Sequence, residues 1–147
     1  MLVKTYGSAV QGIHATTVTI EVNVSQGINF YLVGLPDNAV KESQQRIDSA
    51  IRTNGYKYPG KKIVINMAPA DIRKEGSAYD LPLAMGILAA SEQIQADHLN
   101  QYIMMGELSL DGGLQPIRGV LPIAIQARKE GFKGIILPRD NANEATV

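Results

Sequence analysis

The sequence predicts an α/β (α+β) domain, a mixed sheet with helices packed on it, from three observations. A stretch of alternating apolar and polar residues fills the first 25 positions. Segments with apolar residues at helical spacing then alternate with short apolar runs, and neither an internal repeat nor a low-complexity linker interrupts that order. At 147 residues and 45% apolar composition, the chain fits one domain, residues 1–147, that buries roughly two-thirds of its unfolded surface.

The elements follow in order. Thr16, Val18, Ile20, Val22 and Val24 share one face of a strand, with Thr17, Thr19, Glu21 and Asn23 on the other, and Gly12 turns the chain from the strand before it. Ile28 to Val33 adds a third strand after Gly27, so the first third reads as an antiparallel meander. Asp37 is placed to cap a helix over Asn38 to Asn54, in which Val40, Ile47 and Ile51 recur at helical spacing and Gly55 is the stop. Ile63 to Met67 is a strand. Tyr79 to Gln93 is a helix with Leu83, Ile87 and Leu88 inward and Pro82 tolerated in its first turn. Ile103 to Leu110 reads as a strand, Val120 to Lys129 as a helix and Gly134 to Leu137 as a last strand. Asn141 and Glu144 have the spacing of a capping pair opening a further helix, yet the sequence stops at Val147, which reads as a piece of a longer protein.

Composition excludes several functions. With no cysteine there is no disulfide, thiolate metal site or cysteine nucleophile, and a reducing compartment follows. The longest uncharged stretch, Leu81 to Ala90, is about half of the ~20 residues a membrane-spanning helix needs, and no secretory signal opens the chain. A cytoplasmic location is expected. Fourteen basic residues balance fourteen acidic ones, so any nucleic-acid binding must come from a local patch.

Gly55 to Lys62 matches a phosphate-binding P-loop except at its last position, where Lys62 stands in place of serine or threonine. A P-loop needs a strand before it and a helix after it; here the predicted order is the reverse, and Pro59 lacks an amide hydrogen. The string therefore reads as a basic turn. His14 and His98 have no second histidine or cysteine at ligand spacing, and Glu42, Asp48, Asp71, Glu75, Asp80 and Glu107 are scattered over different elements. The Asn23-Val24-Ser25 sequon is a chance match. No catalytic, cofactor-binding or metal-ligating residue is assigned.

Two longer strings carry more. Asp71 to Leu81 and Gly106 to Gly119, with Gly131-Phe132-Lys133 and Ile136-Leu137-Pro138 after them, resemble the proteolytic domain of Lon, a fold shared with ribosomal-protein-like domain 2. In that family a serine before one helix is activated by a lysine that opens the next. The family's serine position falls on Ala78, with Ser77 one place early, and its lysine position falls on Leu121. Leucine accepts no proton, and the next lysine, Lys129, is more than two turns away. The Asp80-Leu81 pair is similar instead to the Lon-like domain of the RadA recombination proteins, which is not a peptidase.

Along nearly the whole chain, Gly34-Leu35-Pro36-Asp37, Val40-Lys41-Glu42-Ser43 with Arg46, Ile65 to Asp71, Gly76 to Leu83 and Gly106-Glu107-Leu108 resemble the N-terminal domain of the magnesium-chelatase-like AAA+ family that includes the competence protein ComM and YifB. The resemblance implies a Lon-like domain fused to a C-terminal ATPase, which would hold ATP and magnesium, in a hexameric ring that moves DNA branches. This domain would then be non-catalytic, hold no cofactor, and help assemble the ring or guide DNA. An active serine-lysine peptidase and a free-standing interaction module are the competing readings.

DNA contact is expected at Arg52, Lys57, Lys61 and Lys62, which flank Tyr56 and Tyr58 in one helix-to-strand turn, and at Arg73 and Lys74 in the loop after the next strand. Lysines would hold phosphates while tyrosines stack on unpaired bases.

Overall fold

A six-stranded mixed sheet, ordered β3-β4-β2-β1-β5-β8, forms the spine of the computed structural model, which describes residues 1–74 and 76–146. Glu75 and Val147, both named above, lie outside the described residues. β1 (Leu2–Gln11) and β2 (His14–Ser25) make a long antiparallel hairpin about Gly12, in register from Leu2↔Asn23 to Gln11↔His14. The alternation of β2 holds: Val18, Ile20, Val22 and Val24 are buried.

The expected meander is corrected at its third strand. β3 (Phe30–Val33) does not pair with β2; it runs parallel to β4 (Lys62–Ala68), and β4 takes the free edge of β2 in antiparallel register, Val22 opposite Ile65. Ile63, Ile65 and Met67 are all fully buried, so β4 gains more by lying inside the sheet than β3, whose Tyr31 and Val33 stay exposed at the rim. Between them runs α1 (Asp37–Thr53), which makes β3-α1-β4 a parallel crossover unit. Asp37 is the first helical residue rather than the cap: Pro36 holds that place and no side chain caps the helix.

α2 (Asp80–Ala90) is buried on nearly every side, packed on β1 and β2 and against α1. Thr5 Oγ1 donates to the Pro82 carbonyl at 3.0 Å, which gives the fully buried Thr5 hydroxyl its partner. The strand expected over Ile103 to Leu110 is two strands. β5 (Tyr102–Met104) runs parallel to β1, whereas β6 (Glu107–Leu108) leaves the sheet to pair with β7 (Leu114–Gln115). The break falls at Gly106, whose amide donates to the Ala78 carbonyl at 2.7 Å and whose missing Cβ would lie 2.8 Å from Leu114. α3 (Val120–Lys129) and β8 (Gly134–Ile136), parallel to β5, finish the sheet.

Asn141 and Glu144 do not open an α-helix; they lie within a 3-10 turn, Arg139–Ala145. The Asn141 side chain donates to Glu144 Oε1 at 3.0 Å and also holds the turn before α3, accepting from Ile117 N at 2.9 Å and donating to Ile117 O at 3.0 Å. Among the described residues, no helix is long and apolar enough to cross a membrane.

Candidate functional site

The cleft with the most chemistry opens where β1 and β5 part at their C-terminal ends, the usual ligand position in a sheet of this kind. About 740 Å³ in volume, it is walled by Ser8 and Val10 of β1, the loop 76–79 before α2, Met105 and Glu107 beyond β5, and the turn Pro116 to Gly119 before α3. Ser77 Oγ donates to Glu107 Oε1 across it. A second hydroxyl, Ser8 Oγ, has no hydrogen-bond partner, although Ser8 is only 3% exposed. Gly119, in the left-handed region at φ 80°, starts α3 against Val10; a Cβ there would lie 2.9 Å from Val10 Cγ1.

This is the cleft in which a serine-lysine pair would have to meet. Ser77 reaches it and, among the described residues, no lysine lines it. Leu121 is 44% exposed and lies outside the lining. Ser77 donates to a carboxylate, which as a base at neutral pH is weaker than the amine the family uses.

Behind the cleft loop lies a polar cluster that the scattered carboxylates did not reveal. Asp80, 0% exposed, accepts from Ser43 Oγ, from Arg46 Nε at 2.6 Å and Nη2 at 3.1 Å, and from the Leu108 amide at 3.0 Å. The hydrogen bond to Asp80 raises the pKa of Arg46, against a smaller opposing effect of burial. α1, α2 and β6 are thus joined at one buried carboxylate. Ser43 and Arg46, three apart on one helix face, were the available sequence signal; Ser8 offered none, since alternation on β1 does not tell which hydroxyl goes unpaired.

The basic residues are less uniform than their spacing implies. Lys57 and Lys61 are exposed, and Lys62 is half-buried with its ammonium 5.8 Å from the Tyr31 ring. Arg52 is paired with Asp48 and stands 5.9 Å over the Tyr58 ring. Tyr58 is half-buried and accepts from Gln44 Nε2 at 3.3 Å, and burial raises its pKa above the ordinary value; Tyr56 is the exposed ring of the two. Arg73 is exposed and engaged. Lys74 leaves the set: it is 3% exposed, its ammonium donating to the carbonyls of Pro69 and Ile72. The loop at Arg73 and the turn at Lys61 lie at opposite ends of the seven-residue β4, roughly 20 Å apart. Among the described residues, no group of three or more His, Cys, Asp or Glu could hold a metal ion.

Comparison with known proteins agrees with the fold and the motif order. The family described as subunit ChlI of Mg-chelatase matches residues 20–141. The competence protein ComM of Haemophilus influenzae is 48% identical over 143 residues, 97% of this chain and 28% of that protein. YifB of Escherichia coli is 48% identical over 137 residues, 92% of this chain and 27% of that protein. Lon protease 2 of Bacillus subtilis is 36% identical over 101 residues, 69% of this chain and 18% of that protein. The chain therefore spans little more than a quarter of the length of the ComM and YifB relatives. With a matched span that runs from β2 to the turn after β8 and takes in the Asp80 cluster, the chain belongs to the Mg-chelatase ChlI family, where it is similar to ComM and YifB.

Proposed function

We propose that this chain is a non-catalytic accessory domain of a ComM/YifB-like ATP-driven DNA motor, a hexameric ring in which it supports assembly or guides DNA during branch migration. The observation that carries the reading is the 48% identity to a competence protein over 97% of this chain. ATP and magnesium would be held by a C-terminal ATPase domain, and the working compartment would be the cytoplasm. The cleft chemistry supports the non-catalytic part: the position that should supply a proton acceptor is Leu121, outside the lining.

DNA contact would come from Lys57, Lys61 and Lys62, with Tyr56 beside them. Three cations on one turn hold DNA weakly, and a ring that repeats the turn multiplies the effect without new contacts. In the full-length protein, replacing Lys57, Lys61 and Lys62 by alanine should flatten the dependence of log affinity on log salt by roughly one unit for each phosphate no longer neutralised. The measurement is single-stranded and branched DNA binding across a salt series. An unchanged slope would remove this turn from the DNA interface and leave ring assembly as the domain's role.

A further inference from the structure

We propose that the cleft beside Ser77 takes an extended, uncharged segment of a separate polypeptide, laid as an added strand along the free edge of β1. The edge follows from the register. Met1 and Val24 exchange both backbone hydrogen bonds, and the pairing stays in register as far as Gln11↔His14. The odd-numbered residues of β1 therefore turn their N–H and C=O groups toward β2, and the even-numbered ones turn theirs the other way. Tyr6 accordingly meets Ile103 of β5, and the Ser8 amide donates to Met105 Sδ at 3.4 Å. There β5 leaves β1, which runs on to Gln11. The Ser8 carbonyl and the amide and carbonyl of Val10 are left at the cleft, and among the described residues no turn or loop backbone fills them.

These groups select the occupant. An acceptor, a donor and a second acceptor in line along an extended edge form the pattern that the backbone of another extended chain completes. At the inner end of this edge Ser8 Oγ is buried without a partner. A strand laid beside β1 sets one of its own side chains opposite Ser8 on the same face, where a threonine hydroxyl would pair with it. Val10, Met105, Ile117 and Ile123 supply apolar wall for the neighbouring side chains. Glu107 and Arg118 are the only charges among the described lining residues, one of each sign. The cleft thus holds no excess charge to draw a nucleic acid or another anion, and it fits a backbone of dipoles that carries uncharged side chains.

The test titrates the chain against a short fluorescein-labelled tracer peptide of alternating threonine and valine, blocked at both ends and read by polarisation. An added strand turns only alternate amides to its neighbour, so two further peptides carry N-methyl groups on the threonine amides or on the valine amides. The parent should bind at micromolar to millimolar concentration of the chain; one methylated peptide should bind about tenfold more weakly and the other like the parent. Ser8→Ala deletes a hydroxyl that has no partner within the domain. It should weaken the parent severalfold, leave a peptide with valine in place of threonine unaffected, and keep thermal stability level or raise it. Equal behaviour of the two methylated peptides, no effect of Ser8→Ala on the parent, or no binding at millimolar chain each overturns the proposal. Displacement of the peptide by single-stranded DNA at the same concentration would give the cleft to nucleic acid, and self-association of the chain that the peptide disperses would give it to a second copy; either result also overturns it.

Discussion

At Asp80 a single carboxylate acts as a junction. Its neighbours Leu81, Pro82 and Leu83 are apolar, and a bare carboxylate among them would be strongly disfavoured. It remains because Arg46, Ser43 and the Leu108 amide together satisfy it. Removing one partner of such a buried pair leaves the others uncompensated, at a cost of about 3–5 kcal/mol. Asp80→Ala should therefore lower the unfolding free energy by that amount, measured from urea transitions at unchanged slope. A loss below about 1 kcal/mol, typical of exposed pairs, would mean that solvent replaces the cluster. Lys74 makes the opposite point, since a charge that the sequence offers to DNA is instead used by two carbonyls of its own loop.

For the elements, periodicity located α1, α3 and the hairpin well because each has one face that must be buried, whereas α2, buried on nearly every side, was found as a continuous apolar run. Val120–Lys129 falls where the spacing of its apolar residues put it, and the long alternation of β2 fixes which side meets α2. The two elements lie close together. A Cβ on Gly86 would lie 2.6 Å from Val22 Cγ2, so the α2 backbone sits almost on the strand. Alanine is about 1 kcal/mol better than glycine inside a helix, yet Gly86→Ala should destabilise by about 1–3 kcal/mol through overpacking. Thermal melts of Gly86→Ala and of the Gly86→Ala, Val22→Ala pair check it: the second change should recover part of the loss, and stabilisation by Gly86→Ala alone would contradict the packing. Short elements were harder to read. The apolar run from Ile103 to Leu110 is continuous in sequence but is broken at Gly106 by a hydrogen bond to a residue 28 positions earlier, Ala78, which no local pattern records.

Across the whole molecule, topology decides what a motif can do. The string Gly55 to Lys62 joins α1 to β4, helix before and strand after, so its amides have no following helix N-terminus with which to converge on phosphates. Lys57 is bound through its own amide and carbonyl to the Gln93 side chain, at 2.7 Å each, which ties the turn to the segment after α2. The chain should neither hydrolyse ATP nor lose any activity with Lys61→Ala; phosphate release above background that disappears in that variant would show a working P-loop after all.

Sequence by itself determined the fold class and the positions of the three helices, because each depends on residue type at short spacing; that Leu121 stands where a Lon-like domain carries its lysine came from the family resemblance. Tertiary structure alone decided that β4 separates β3 from β2, that Asn141 serves the turn at Ile117, that Ser77 meets Glu107 across a cleft, and that Lys74 is buried while Lys61 is not. These are pairings or burial differences between segments far apart or differently placed in the chain. Their stability comes from which polar groups are left unpaired once the apolar faces have closed, and that remainder exists only in the folded molecule.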